Sequence, residues 1–321
     1  MSTNVPPHKT IDICVLDFYN NTNHLLHKKR VTIMKTARLQ LIISMAIFGT
    51  IGIFTKFIPI PSAEIALFRA LLAIVLLTGY LLITKTKFNF KLIKKELPLL
   101  ALSGAAMGIN WVLLFEAYKH TTVSNATLSY YFAPVLVTIV SPILFKEKLT
   151  IKQIICFVMS TIGLIMIIGV GGAANGATAG LSSNLKGIFF GLGAACFYAT
   201  VILLNKCVKS VAGIQRTFLQ FIAAIIVLFP YVLLSGPMQV GTLSAAGLAH
   251  LLVVGLVHTG ITYCLYFSSL KDLPGQEVAI LSYIDPLVAV IASAVFLNET
   301  FTVLQIVGGL LIIGFSIWNE K

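Results

Sequence analysis

The sequence predicts an all-α polytopic membrane protein whose ten transmembrane helices form two inverted five-helix repeats. Its 321 residues are 58% apolar and 11% charged, with a mean hydropathy of +0.95. A soluble domain usually carries about 25% charged residues, so this composition excludes an ordinary soluble enzyme. The apolar residues fall in about ten blocks of about 20 residues, the length that crosses a bilayer as a helix. The second half of the chain also repeats the first half in register.

The first 33 residues are polar and lack the apolar stretch of about 7 to 15 residues that a cleavable signal peptide needs. We predict that they form a disordered cytoplasmic tail. A sharper hypothesis is that translation starts at Met34, because a short basic segment from Met34 to Arg38 leads directly into an apolar helix. The rest of the chain is predicted to contain a first repeat over 34–170, a linker over 171–185 and a second repeat over 186–321.

The ten spans are predicted from the apolar blocks and the polar breaks between them. In order they cover 38–57, 63–84, 98–118, 123–145, 151–170, 186–206, 214–235, 246–269, 275–297 and 301–318. If the N-terminus is cytoplasmic, 19 of the 23 lysines and arginines lie on the cytoplasmic side, three lie outside, and Arg69 lies within a span. This asymmetry predicts that both termini are cytoplasmic. It also explains the net charge of +12 as a topology signal, so we predict no nucleic-acid partner.

The internal repeat appears when the chain is shifted by 152 residues without a gap. The aligned pairs include residues that two apolar stretches would not match by chance: Tyr131 with Tyr283, Pro134 with Pro286, Glu147 with Glu299, Thr150 with Thr302, and Gln153 with Gln305. The pattern indicates a duplicated five-helix unit. Because five is odd, the second copy enters the membrane from the opposite face. Secondary transporters use this architecture to expose one central site alternately to each side.

Short motifs in both halves carry a resemblance to a known family. They are Leu67–Arg69, Phe115–Lys119, Pro134, Glu147–Leu149 and Gln153 in the first copy, and Pro286, Asn298–Thr300 and Gln305 in the second. From Met34 to Trp318 the chain resembles the EamA-type branch of the drug/metabolite transporter superfamily. The resemblance implies a ten-helix carrier, commonly an exporter of amino acids or related metabolites. The chain departs from the family pattern at Glu116, an acid where an aromatic or small residue is frequent.

The ionisable side chains Arg69, Glu116, His258 and Asp285 lie inside the predicted spans. A charge in hydrocarbon costs at least about 2.5 to 3.5 kcal/mol, so each needs a partner, a cavity or a function. At about 1.5 Å per residue, His258 and Asp285 both fall near the bilayer midplane. A histidine near a carboxylate can titrate around neutral pH, so the pair is a candidate for proton coupling. The alternative is that both side chains only hydrogen-bond their neighbours and hold helices together.

Arg69 and Glu116 are predicted to lie in the outer half of the first repeat. An arginine can hold a carboxylate through two hydrogen bonds, so Arg69 is a candidate for binding an anionic substrate group. The alternative is a buried ion pair of Arg69 with Glu116 or Glu64. Glu147 and Glu299 follow the fourth and ninth spans, and each is predicted to cap the helix that comes next.

Polar and aromatic side chains deep in the spans are predicted to line the pocket: Asn110, Trp111, Tyr130, Tyr131, Tyr263, Tyr266 and Tyr283. The tyrosines lie too far inside for an aromatic belt at the lipid interface. Pro134 and Pro286 are predicted to kink spans four and nine, because proline removes a helix hydrogen bond. Plain helix packing is the alternative for these aromatic residues.

The inverted repeat predicts a secondary active transporter that works by alternating access, and the family resemblance implies that it exports amino acids or related small metabolites. No GxxxxGK[ST] phosphate loop occurs, so energy must come from exchange or an ion gradient, with protons as the candidate ion. The five cysteines lack metal-site spacing, and we expect no cofactor. A sugar or drug carrier of the same fold is the alternative, and an intramembrane enzyme is a remote one, since HExxH and GxSxG are missing. The expected partners are a small metabolite and membrane lipid, in a bacterial inner membrane.

Overall fold

In the part of the chain that the structure describes, ten helices occupy the positions of the ten predicted spans. The computed structural model describes residues 32–145, 150–170, 178–211, 213–270, 272–273 and 275–320, and this part of the chain contains helices and short connections. The first half contains α1 (Thr32–Lys56), α2 (Ser62–Ile83), α3 (Phe90–His120), α4 (Val123–Phe145) and α5 (Ile151–Val170). The second half contains α6 (Thr178–Cys207), α7 (Gly213–Leu234), α8 (Ala245–Ser269), α9 in two pieces (Gly275–Ser282 and Ile284–Leu297) and α10 (Val303–Glu320). The all-α class is therefore confirmed.

The described helices have the lengths and surfaces of membrane spans. Seven of them are long and apolar enough to cross a bilayer, and three shorter apolar helices cover Ile151–Ile167, Ile284–Leu297 and Val303–Asn319. Large apolar side chains point away from the bundle, as at Leu82, Ile165 and Leu310, which are 73%, 61% and 62% exposed. Lipid tails can cover such a surface, whereas water would leave it unfavourably hydrated. The chain is a polytopic membrane protein, as predicted.

Three helices begin earlier than the apolar blocks predict. Helix α1 starts at Thr32, so two residues assigned to the tail are helical, while residues 1–31 lie outside the described part. Helix α3 starts at Phe90, and α6 starts at Thr178, so 178–185 of the predicted linker is helix. The predicted span stops at the first charged residue, because it is defined by apolar composition. The observed helix continues past that residue, because backbone hydrogen bonds do not depend on the side-chain charge. In α1 the charge of Arg38, at the predicted start of the span, is paired with Glu277 of α9.

Helices α4 and α9 are interrupted at equivalent positions of the two repeats. The break in α4 falls at Tyr131 and the following residue, and the break in α9 falls at Tyr283. Pro134 and Pro286 lie in the first turn of the helical piece after each break. A first-turn residue has no intrahelical partner for its N–H, so proline fits there without loss. The predicted distortions of spans four and nine are confirmed.

The two largest apolar clusters among the described residues lie between the helices. The larger cluster joins α2, α3, α7 and α8 with parts of α1 and α6, and the smaller joins α4, α5, α9 and α10. Helices α5 and α10 pack closely through Gly163 and Gly308. A Cβ atom on Gly163 would lie 2.6 Å from the Gly308 carbonyl oxygen, and one on Gly308 would lie 2.5 Å from the Gly163 carbonyl oxygen. Only glycine permits this approach of the two backbones.

Glu299 was predicted to cap the helix that follows it, α10, and this prediction is wrong, because it caps α4 instead. Its carboxylate accepts hydrogen bonds from the backbone N–H groups of Val123 and Ser124 at the start of α4, not from the helix that follows it. Helix α10 begins instead with a reciprocal capping box, in which Thr302 and Gln305 each bond the backbone N–H of the other. Thr150 and Gln153 form the same box at the start of α5. Glu147, predicted to act like Glu299, lies outside the described residues.

Candidate functional site

Two adjoining cavities lie inside the helix bundle. The smaller, of about 120 Å³, and the larger, of about 620 Å³, share five lining residues: Phe48, Tyr131, Tyr198, Tyr263 and Asp285. The larger cavity also reaches Asn205 near the end of α6, Arg216 near the start of α7, and Asn319 near the end of α10. It therefore extends to one end of the bundle, which is the end that the lysine and arginine distribution predicts to be cytoplasmic.

Most of the predicted site residues are brought together around this space. The smaller cavity is lined by seven of them: Arg69, Asn110, Trp111, Tyr130, Tyr131, Tyr263 and Asp285. Tyr283 lines the larger cavity. Asn110 also has a structural contact, because its side-chain amide donates to the Ala194 carbonyl oxygen at 2.7 Å and joins α3 to α6.

Arg69 is a buried cation that projects from α2 to the wall of the smaller cavity. Its Nε donates to the Thr259 hydroxyl at 2.6 Å, and its guanidinium carbon lies 4.6 Å from the Trp111 ring centroid and 5.5 Å from that of Phe115. Among the described residues, no carboxylate lies within ion-pair distance of Arg69. The aromatic faces stabilise the cation, while its charge is left without an anionic partner.

The predicted ion pair of Arg69 with Glu116 or Glu64 is therefore wrong. The Glu64 carboxylate accepts the backbone N–H groups of residues 239 and 240 in the loop between α7 and α8. The Glu116 carboxylate accepts the Ser62 hydroxyl at 2.7 Å and lies 3.7 Å from Lys119 Nζ on its own helix. Both acids are held near the helix ends, away from the cavity wall that contains Arg69.

Asp285 is the acid that lines both cavities. Its Oδ2 accepts a hydrogen bond from the Tyr131 hydroxyl at 2.5 Å. The two residues come from the broken helices, because Tyr131 lies at the break in α4 and Asp285 is the second residue after the break in α9. The chain interruptions thus place one carboxylate at the junction of the cavities, where a substrate or ion can reach it.

Aromatic rings form much of the remaining wall. The Tyr130 and Tyr198 rings stack with centroids 5.2 Å apart, and Tyr130 meets Tyr131 edge-on at 5.7 Å. On the opposite side, Tyr263 contacts Phe48 edge-on at 5.2 Å. Rings that pack on one another are held in fixed positions, so the wall is a preformed surface of π faces and hydroxyl groups.

His258 does not contact Asp285. Its Nε2 lies 2.9 Å from the Thr50 hydroxyl of α1, and its Nδ1 lies 3.3 Å from the Val253 carbonyl oxygen. Helix α1 contacts both residues, because Thr50 bonds His258 and a Cβ atom on Gly49, next to Thr50, would lie 2.5 Å from the Asp285 carbonyl oxygen. The geometry therefore fits the structural alternative for His258, and the described hydrogen bonds of the two residues do not pair His258 with Asp285.

The sequence prediction missed six residues that line the smaller cavity: Phe48, Ile51, Leu114, Tyr118, Thr127 and Tyr198. Tyr198 lies well inside span six, so the depth criterion applied to the other tyrosines would have found it. The sequence does not single out Phe48, because a phenylalanine in an apolar span can face lipid, another helix or a cavity equally well. Thr259, which bonds Arg69, was also missed, since its role depends on the neighbouring helix.

Comparison with known proteins assigns the chain to a transporter group. The sequence model of the EamA-like transporter family matches it twice, over residues 35–169 and 185–319. An uncharacterized transporter, YxxF, from Bacillus subtilis is 31% identical, and the alignment covers 86% of this chain and 88% of the relative. Human solute carrier family 35 member G1 is 24% identical, with 86% and 76% covered.

Solved structures support the same fold. One crystal structure superposes with a TM-score of 0.60 at 14% sequence identity and covers 87% of this chain and 95% of the other. At that identity the likeness concerns the fold alone. The double match to one family model agrees with the duplication that the sequence predicts.

Proposed function

The chain belongs to the EamA-like transporter family, and from this premise we propose that it is a secondary active carrier that exports amino acids or related small metabolites. In this proposal the two repeats are inverted relative to each other and expose the central cavities alternately to each side of the membrane. The larger cavity then represents the state open to the cytoplasm, from which an exporter collects its substrate.

One observation carries the substrate assignment: the smaller cavity is lined by Asp285 and by Arg69, which has no anionic partner among the residues that the structure describes. An α-amino acid presents a carboxylate and an ammonium group, which match these two charges. A neutral sugar would leave both charges desolvated without compensation, and this costs free energy. A lipophilic drug would use the aromatic wall but not Arg69. The charge pair therefore favours a zwitterion over the alternative substrates.

Coupling to protons is proposed at Asp285 alone. The Asp285 carboxylate lines both cavities and is hydrogen-bonded by Tyr131, so it can meet the substrate from one side and water from the other. A carboxylate that exchanges a proton for a substrate ammonium group would link export to proton entry. His258 has no part in this exchange, since it bonds Thr50 and the α8 backbone.

The test is transport by the purified full chain in proteoliposomes. Counterflow of a panel of labelled amino acids is measured with and without a pH gradient, beside labelled glucose and tetraphenylphosphonium. We expect saturable counterflow of at least one amino acid, lost in Arg69→Met and retained in Lys186→Met, a matched change of an exposed cation on α6. Transport of glucose or tetraphenylphosphonium without any amino acid would overturn the substrate assignment.

A further inference from the structure

The middle of α8 has an unusual backbone that brings Thr259 to Arg69. Residues Val253–Ile261 form a π-helix, in which hydrogen bonds reach five residues back instead of four. Accordingly, the Thr259 hydroxyl donates to the Val254 carbonyl oxygen at 2.8 Å. Because its proton is used in this bond, the oxygen is left as an acceptor, and it faces Arg69 Nε at 2.6 Å. π-Helical backbone is rare, and where it interrupts an α-helix it is frequently found at functional sites.

Glycines on either side of Thr259 allow α8 to lie close to α2. A Cβ atom on Gly255 would lie 2.5 Å from Leu72 Cδ1, and one on Gly260 would overlap Leu76. The two helices are therefore near enough for the short threonine side chain to span the gap. Thr259 is fully buried, so water does not compete for this hydrogen bond.

The guanidinium of Arg69 is fixed on two sides and open on the third. Thr259 holds Nε, and Trp111 covers one face. The two terminal nitrogens make no hydrogen bond to the described residues, and Arg69 lines the smaller cavity. A carboxylate approaching from the cavity can take both terminal nitrogens in the fork geometry that arginine favours.

We propose that Thr259 is a positioning residue that orients the Arg69 guanidinium to bind the carboxylate of the substrate. The proposal rests on the proposed function, because it concerns the same central site. The position is specific to the second repeat: the residue 152 positions earlier is Met107, which has no hydroxyl. Met107 therefore cannot make the same contact in the first repeat. In this proposal the substrate carboxylate binds at the wall of the cavity that contains Arg69.

The test uses tryptophan fluorescence, which does not require a known substrate. The chain has two tryptophans, so Trp318→Phe leaves Trp111 beside Arg69 as the single emitter. The purified full chain in liposomes is titrated with sodium acetate as a minimal carboxylate, with acetamide and sodium chloride as references. We expect a saturable change in Trp111 emission with acetate and none with acetamide.

The variants separate positioning from helix stability. Thr259→Val is expected to raise the half-saturating acetate concentration roughly tenfold, the factor for losing one hydrogen bond to a charged group, while Thr259→Ser restores it. Thr262→Val is the matched control, because Thr262 is equally buried and bonds the Val257 carbonyl oxygen of the same π-helix but not Arg69. It should leave acetate binding unchanged.

Each outcome decides the proposal. No saturable effect of acetate in the starting chain, or equal effects of Thr259→Val and Thr262→Val, would overturn it. Size-exclusion chromatography checks that Thr259→Val is folded, and if it is not, a loss of acetate binding in folded Thr259→Ser would also count against the proposal. If the acetate results hold but no amino acid is transported, the proposed function fails while the positioning role of Thr259 stands.

Discussion

The carboxylate of Glu299 joins the two halves of the chain at the end of the bundle opposite the larger cavity. Its oxygens accept the Val123 N–H at 2.7 Å, the Ser124 N–H at 3.2 Å and the Ser124 hydroxyl at 2.9 Å, and Lys56 Nζ lies 3.6 Å away. The Ser124 hydroxyl also lies 2.6 Å from that of Ser293 on α9. If this end opens during transport, these contacts must break, so Glu299→Ala should favour the open state.

The size of the effect follows from the three hydrogen bonds. A hydrogen bond to a charged group contributes about 1.5 to 3 kcal/mol, and part of this returns when water solvates the opened end. We expect Glu299→Ala to weaken closure by about 4 kcal/mol and Glu299→Gln, which keeps one acceptor, by about 2 kcal/mol. Since about 1.4 kcal/mol is a factor of ten, the open population should rise by roughly 700-fold for Glu299→Ala and roughly 30-fold for Glu299→Gln while it remains the minor state.

Cysteine accessibility measures this population. The five native cysteines are replaced, and Thr127, a buried residue of α4 that lines the smaller cavity, is changed to cysteine. A membrane-impermeant maleimide is added from the side predicted to be outside. Its rate of reaction at position 127 should increase in the order of the starting chain, Glu299→Gln and Glu299→Ala.

Glu96 provides the matched control at the opposite end. Its carboxylate accepts the backbone N–H groups of Lys209, Ser210 and Val211, so Glu96→Ala removes the same kind of contact. It should not increase labelling from the outside. Equal labelling of Glu299→Ala and the starting chain, with both proteins folded, would refute the view that Glu299 holds this end closed.

Three further predictions concern coupling and stability. Asp285→Asn removes the exchangeable proton, so we expect amino-acid transport to lose its dependence on the pH gradient while counterflow continues, and an unchanged dependence would exclude Asp285 as the proton site. Gly163→Leu forces a side chain against the Gly308 carbonyl and should destabilise the protein by about 3 kcal/mol, seen as a lower melting temperature in detergent than that of Gly79→Leu, where the space is open. Thr302→Ala removes half of the capping box of α10 and should cost about 1 kcal/mol in the same assay, and no change in melting temperature would contradict that role.

The sequence by itself determined the features that depend on local chemistry. The apolar blocks, each long enough to cross the bilayer, indicated where the helices lie, because a segment inside the bilayer must satisfy its backbone hydrogen bonds internally. Pro134 and Pro286 predicted where α4 and α9 are interrupted, because proline has no N–H to donate and is best accommodated in the first turn of a helix, so a new helical piece tends to begin just before it. The repeat also indicated a shared centre, and most of the polar and aromatic residues chosen for depth do line the cavities.

Only the tertiary structure decided which side chains meet. The rotation of each helix about its axis separates His258 from Asp285 and brings Arg69 to Thr259 instead of to an acid. The apolar spans are uniform enough that many rotations would bury similar area, so composition does not select among them. Glu299 shows the same limit, because its partners lie about 175 residues away in the chain and become neighbours only when the halves pack.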